Sequence, residues 1–372
     1  MATLNQWVEG ARPRTLPAAI APVLVGTGAA YAMEKANPGY ALLALIVALF
    51  LQIGVNYAND YSDGIKGTDD ETRVGPLRLT GSGAAAPRQV KLAAFACFGA
   101  AGAAGLWLII LAGQWWFLLI GASAVLAAWG YTGGKHPYGY LGLGDLFVFI
   151  YFGLVATLGT TFTQASRLSA TAWCAAVAMG LIACALLMAN NLRDIPTDEV
   201  AGKRTMAVRL GDARARLAYA GEIVLAYAVM VFAVPENPWV LLVLCSLVLA
   251  VPAVRTVLRA QQMRALIPVL RQTGFLSLAF ALLLVAAGEN VIRILPPLTS
   301  EFLNTIKNSA VAITIGLIEL TGQARSMQEF SFQVFEAFTA ATVLYLLLNF
   351  VVVTAMRFLE RYVAIPGYIT GK

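Results

Sequence analysis

NYANDYSDGIKGTDD, residues 56–70, places four aspartates and two asparagines directly behind an apolar run that begins near residue 40. The run is long enough to enter a bilayer, and the oxygen-rich stretch stands at its mouth. Working outward, the same alternation of long apolar stretch and polar loop fills most of the chain. Of 372 residues 59% are hydrophobic and 12% charged, against about a quarter charged in soluble domains. The chain is therefore read as an all-α polytopic membrane protein.

Apolar stretches of about 15 to 24 residues fall near 17–33, 40–58, 92–112, 115–130, 144–163, 171–191, 217–233, 238–254 and 273–288. Roughly 20 helical residues cross the hydrocarbon core, so each is a candidate span, the shortest leaning on its flanks. The short alternating segments of a β-barrel are absent from the sequence.

With a cytoplasmic N-terminus carrying Arg12 and Arg14, the loops on that side hold Lys66, Arg73, Arg78, Arg88, Lys91, Lys135, Arg193, Lys203, Arg204 and the basic residues from Arg209 to Arg271. The opposite loops hold only Lys35 and Arg167. This is the positive-inside pattern, so the net charge of +6 reads as topology, with no nucleic-acid motif beside it. The first apolar run follows ARPRTLP without a small-residue cleavage site, and its helix is expected to serve as its own anchor. Cys97, Cys174, Cys184 and Cys245 lie in apolar stretches without C-x-x-C spacing and are expected as buried free thiols.

Polar residues concentrate in two loops on the basic side. In the first, Asn56 and Asp60 are four apart, as are Asn59 and Asp63, so a continuing helix puts each pair on one face. Asp69 and Asp70 follow Gly64 and Gly67, which let the chain turn back. The second loop, NNLRDIPTDEVAGKRT, spaces Asn190, Asp194 and Asp198 by four, with Pro196 expected to end or distort the helix at Ile195.

Carboxylates this crowded repel unless cations neutralise them. Divalent metal does so economically: Mg²⁺ is held by one or two carboxylates with waters and substrate phosphates, and two clusters suit two ions around one diphosphate. The candidate metal set is Asn59, Asp60, Asp63, Asp69, Asn190, Asp194 and Asp198. Arg73, Arg78, Lys135 and Lys203 suit the remaining phosphate oxygens. The EF-hand pattern and the P-loop are both absent from the sequence.

NYANDYSDGIKGTDD and NNLRDIPTDEVAGKRTMAVRLG resemble the two aspartate-rich motifs of the UbiA-type intramembrane prenyltransferases. ARPRTLPAAIAPVLVG, RVGPLRLTGSG and YTGGKHPYGYLGLGDLFVFIYFG fit the same superfamily, in order, over about residues 1–290. The family's usual first motif is N-x-x-x-D-x-x-x-D; here the third position is Gly67, with Asp69 two residues later. That departure, with the ARPRTLP opening, is similar to the branch that prenylates 1,4-dihydroxy-2-naphthoate in menaquinone synthesis.

The resemblance implies a nine-helix bundle around a central cavity, a cytoplasmic cap, a lateral opening to lipid and a place in the bacterial inner membrane. It implies polyprenyl diphosphate as donor and 1,4-dihydroxy-2-naphthoate as acceptor, with diphosphate and CO₂ released; 4-hydroxybenzoate is the alternative acceptor. Asn59, Asp63 and Asp69 then form one metal group, and Asp194 and Asp198 the other. Asn56 and Asp60 support or join them, and Lys135 and Lys203 contact diphosphate. Arg73 and Arg78 suit either phosphate or the acceptor carboxylate. Tyr131 and Tyr140 fit either a cation-stabilising ring or an interfacial belt, and His136 reads as a solvated loop residue.

Residues 291–372 stand apart. RILPPLTSEFLNTIKNSAVAITIGLIELTGQARSMQEF and TAMRFLERYVAIPGYITGK are similar to the C-terminal end of polar amino-acid ABC-transporter permeases. Two more spans are expected near 303–321 and 334–356, without a transport function, because the permease's E-A-A coupling segment and earlier helices are missing. Membership of a transporter is the alternative in a different functional class. Nine spans from a cytoplasmic start end outside, and two more would leave the closing Arg357, Arg361 and Lys372 outside as well, against the positive-inside rule.

Overall fold

The computed structural model describes residues 2–66, 78–134 and 137–288, with isolated positions between 325 and 354. The chain divides into two compact units, Met1–Gly288 and Glu289–Lys372. Asp69, Arg73, Lys135, His136 and the expected span at 303–321 lie outside the described residues, as does much of 334–356.

The first unit is a helical bundle, with no strand among the described residues. Its elements are α1 (Leu4–Gly10), α2 (Pro17–Ala32), α3 (Pro38–Lys66), α4 (Pro87–Ala112), α5 (Phe117–Gly130), α6 (Gly144–Ala165), α7 (Ala170–Val200), α8 (Met206–Ala233), α9 (Pro238–Arg259) and α10 (Met263–Gly288). All nine apolar stretches fall on these helices. Seven are long and apolar enough to cross a membrane, and the bent pair Leu4–Thr15 and Pro17–Ala32 makes an eighth. Helix α5, at 14 residues, is shorter than a usual span.

Local chemistry sets the helix starts. The Asn37 side chain accepts from the backbone N–H of Gly39 and Tyr40 ahead of α3. Ser169 caps α7 through Ala172 N, and Asn237 caps α9 through Trp239 N. Proline stands first in α2, α3, α4 and α9, where its missing N–H has no intrahelical partner to lose.

Helix α7 is the axis: 72% of its apolar window is buried, against 28–44% for the other spans. It packs against α8, α6, α10 and α2, so the acidic motif at its end is delivered to the interior. Its crossing with α6 is close. A Cβ on Gly153 would lie 2.5 Å from Gly180 Cα, the small-residue packing by which membrane helices approach. The same stretch of α6, Phe149–Val155, is a π-helix, a form often found near functional sites.

Two expectations change. Helix α7 continues through Pro196 to Val200. The bond from residue 196 to the Leu192 carbonyl is lost, and the Thr197 hydroxyl donates to the neighbouring Asp194 carbonyl at 2.9 Å; the helix is held through the proline by its packing in the interior of the bundle. Of the four free cysteines only Cys184 is buried; Cys97 and Cys174 are half-buried, and Cys245 is exposed on the outer surface of the bundle, where lipid takes the place of a protein core.

Candidate active site

Helix α3 carries the first motif to its last turn, and α7 carries the second. Both open into one cavity of about 340 Å³, within the range of small-molecule sites. Its polar end is lined by Asn56, Asn59, Asp63, Arg78, Tyr131, Asn190, Asp194 and Lys203. Its apolar part reaches Ala44, Leu108, Phe117, Gly121 and Thr163. Ala44 and Asp63 lie on the same helix nineteen residues apart, about 28 Å of rise. The cavity thus joins a carboxylate-rich mouth to a hydrocarbon-lined channel running most of the depth of the bundle.

Each oxygen has a defined place. Asn59 Oδ1 accepts from the Thr132 hydroxyl at 2.8 Å, and Asp63 Oδ1 from the Tyr140 hydroxyl at 2.8 Å. Asp194 is gripped by its neighbour: Arg193 Nε and Nη2 donate to its two oxygens at 2.7 Å each, and Nη2 also donates to Asn190 Oδ1 at 2.9 Å. Lys203 lines the mouth, and its Nζ stands 3.7 Å from Asp198 Oδ1.

Three sequence candidates face elsewhere. Both oxygens of Asp60 accept backbone N–H bonds at 2.8 Å, from Leu79 and Thr80, so Asp60 anchors the loop that returns to α4. Asp198 and Tyr140 stand beside Lys203 without lining the cavity themselves. Asn56 lines the cavity while its amide donates to Ala11 O (2.9 Å) and Thr15 Oγ1 (3.1 Å), tying α3 to the α1–α2 bend. Tyr131 does line the mouth. Burial, reinforced by nearby Asp145, Tyr138, Asp63 and Asp198, pushes its phenol above the ordinary range, leaving a neutral O–H.

Several residues escaped the sequence reading. Arg12 and Lys66 counted there only as topology charges. Yet Arg12 lines the cavity from a left-handed backbone conformation, φ 54°, a form concentrated at functional sites. Lys66 donates to the Thr132 carbonyl at 2.7 Å. Arg193 had a visible signal, sitting between Asn190 and Asp194 in the motif itself.

Residues 19–279 match the model of the UbiA prenyltransferase family. The chain belongs to that family. As a UbiA-family protein it is 52% identical over 287 residues to the 1,4-dihydroxy-2-naphthoate octaprenyltransferase of Mycobacterium tuberculosis, covering 77% of this chain and 98% of the relative. A second likeness is separate: 79 residues, 21% of the chain, are 44% identical to the glutamate/aspartate import permease protein GltJ of Escherichia coli, of which they cover 32%. Among solved structures, a UbiA homolog from Archaeoglobus fulgidus bound to DMAPP and Mg²⁺ superposes with a TM-score of 0.56 at 16% identity, over 76% of this chain and 99% of that one. It shares the UbiA fold.

The donor set fits hard divalent cations. Carboxylate and amide oxygens from α3 and α7 line one mouth, the ligand chemistry of Mg²⁺. Among the described residues no three acidic, histidine or cysteine side chains converge on one point.

Proposed function

We propose that this chain transfers a polyprenyl group from polyprenyl diphosphate to 1,4-dihydroxy-2-naphthoate, releasing diphosphate and CO₂ and giving demethylmenaquinol, the reduced form of demethylmenaquinone. The supporting observation is the cavity itself: an oxygen-lined, cation-flanked mouth opening into an apolar channel matches both halves of a prenyl diphosphate. The 52% identity to the mycobacterial octaprenyltransferase supports this acceptor over 4-hydroxybenzoate.

Bound Mg²⁺, in two ions on this reading, would neutralise the charge that develops on departing diphosphate. Asn59, Asp63, Asn190 and Asp194 would hold it, with Asp69 as a further ligand of the first group. Lys203, joined by Lys135 and by Arg73 or Arg78, meets phosphate oxygens. As the allylic C–O bond breaks, its electron pair leaves on diphosphate. The ring carbon bearing the carboxylate bonds to the allylic carbon, and CO₂ departs, returning its electron pair to the ring. Tyr131 offers the developing cation a ring face at the mouth, and the apolar channel excludes water that would quench it. The mouth faces the cytoplasm by the positive-inside rule.

Purified chain incubated with octaprenyl diphosphate and a panel of aromatic acceptors tests this directly. Prenylated naphthoquinol is expected with 1,4-dihydroxy-2-naphthoate and Mg²⁺, and none after chelation; product only from 4-hydroxybenzoate would replace the acceptor.

Residues 291–372 take no part in the transfer on this reading, because every oxygen and cation named above precedes them. A chain ending at residue 290 is expected to keep its specific activity per folded molecule, with at most some loss of yield. An inactive but monodisperse truncation would show that the tail completes the cavity.

A further inference from the structure

Tyr140 stands beside the mouth and touches both acidic motifs. Its hydroxyl donates to Asp63 Oδ1 at 2.8 Å, on the last turn of α3. Its ring lies beneath two ammonium groups, Lys66 Nζ at 4.7 Å and Lys203 Nζ at 5.4 Å from the centroid. Its carbonyl accepts the Arg204 N–H at 3.1 Å, in the turn between α7 and α8. The bend that presents it is built for this approach. Gly142 adopts φ +75°, and a Cβ there would lie 2.7 Å from Arg209 Nε.

A ring already facing two lysines is poorly placed to face an allylic cation, and Tyr140 does not line the cavity. Cation–π contacts of this kind hold an ammonium in place and partly offset the mutual repulsion of neighbouring lysines.

We propose that Tyr140 is a positioning residue that couples the two halves of the site: its hydroxyl orients the Asp63 carboxylate for metal, and its ring stations Lys203 for diphosphate. The inference rests on the proposed function, in which Asp63 holds metal and Lys203 meets diphosphate. It separates two variants. Tyr140→Phe keeps the ring and loses the hydroxyl, whereas Tyr140→Leu loses both.

The experiment titrates Mg²⁺, with inorganic diphosphate present, against the thermal stability of the full chain in detergent, and measures kcat and donor KM alongside. Tyr140→Phe is expected to raise the half-maximal Mg²⁺ concentration about tenfold, the effect typical of a group that orients a metal ligand. Its donor KM should stay within about twofold of the parent value, because Lys203 keeps its ring. Tyr140→Leu should shift the Mg²⁺ midpoint similarly and also raise donor KM. An unchanged Mg²⁺ midpoint in Tyr140→Phe overturns the role of the hydroxyl. A Tyr140→Leu variant that loses only kcat, with KM and Mg²⁺ midpoint intact, would instead make the ring a catalytic cation stabiliser. A parent chain showing no Mg²⁺-dependent shift removes the metal reading itself, a failure distinct from either variant result.

Discussion

Asp63→Asn lowers turnover by about 10²- to 10³-fold at saturating donor and acceptor, the scale on which loss of one charge-stabilising group is felt in a catalytic site. The change removes a negative charge from the cavity mouth and little volume. The amide can still accept from the Tyr140 hydroxyl that now meets Asp63 Oδ1, so thermal stability should remain near that of the parent. Asp194→Asn is expected to reduce turnover equally but to behave differently as a folded protein. Asp194 and Arg193 form a buried ion pair, with side chains 10% and 4% exposed. Neutralising one partner of such a pair leaves the other uncompensated, at a cost of about 3–5 kcal/mol. Activity per folded molecule and melting temperature, measured on the same samples, separate the two effects. Near-parental activity in both variants at limiting Mg²⁺ would show that neither aspartate holds metal.

Asp60→Ala should be the most destabilising single change in the first motif while sparing the chemistry of the molecules that remain folded. Asp60 is 1% exposed, and its two oxygens are the acceptors for Leu79 N and Thr80 N. Leu79 is itself fully buried in the cluster formed with Tyr57, Ala58, Val90 and Phe98. Hydrogen bonds to a charged acceptor contribute about 1.5–3 kcal/mol each, so losing both should cost about 3 kcal/mol or more. Asp60→Asn retains one acceptor oxygen and should lose about half as much. Unfolding in detergent measures the difference. Stability within about 0.5 kcal/mol of the parent, the size of an ordinary surface substitution, would mean that the loop is held by other contacts and that Asp60 is available to metal.

These variants also mark where sequence reasoning stopped. Asp60 and Asp63 look alike in the sequence, each spaced four from an asparagine, yet one anchors a loop and the other faces the cavity. The difference is helix rotation: three residues along α3 turn the side chain by most of a circle, and packing decides which direction is interior. Tyr140 was visible as an aromatic near the mouth. Its role depends on an Asp63 partner 77 residues away and on two lysines, of which the sequence offered Lys203 for diphosphate and Lys66 only as a topology charge. Pro196 does not end α7, because the rule that proline ends a helix weighs one lost backbone bond locally, whereas burial of α7 among its neighbours keeps the segment helical.

From residues alone came the helical class, the apolar segments and the two oxygen-rich ends. Hydrocarbon admits no unpaired backbone, so a spanning segment must be written as a long apolar run, and polar clusters at its ends cannot hide. Which of those oxygens meet in one cavity, which are consumed by backbone N–H groups, and which cations stand beside them were decided only when the helices packed. Such facing depends on helix rotation and on contacts between residues dozens of positions apart, for which a one-dimensional pattern carries no local signal.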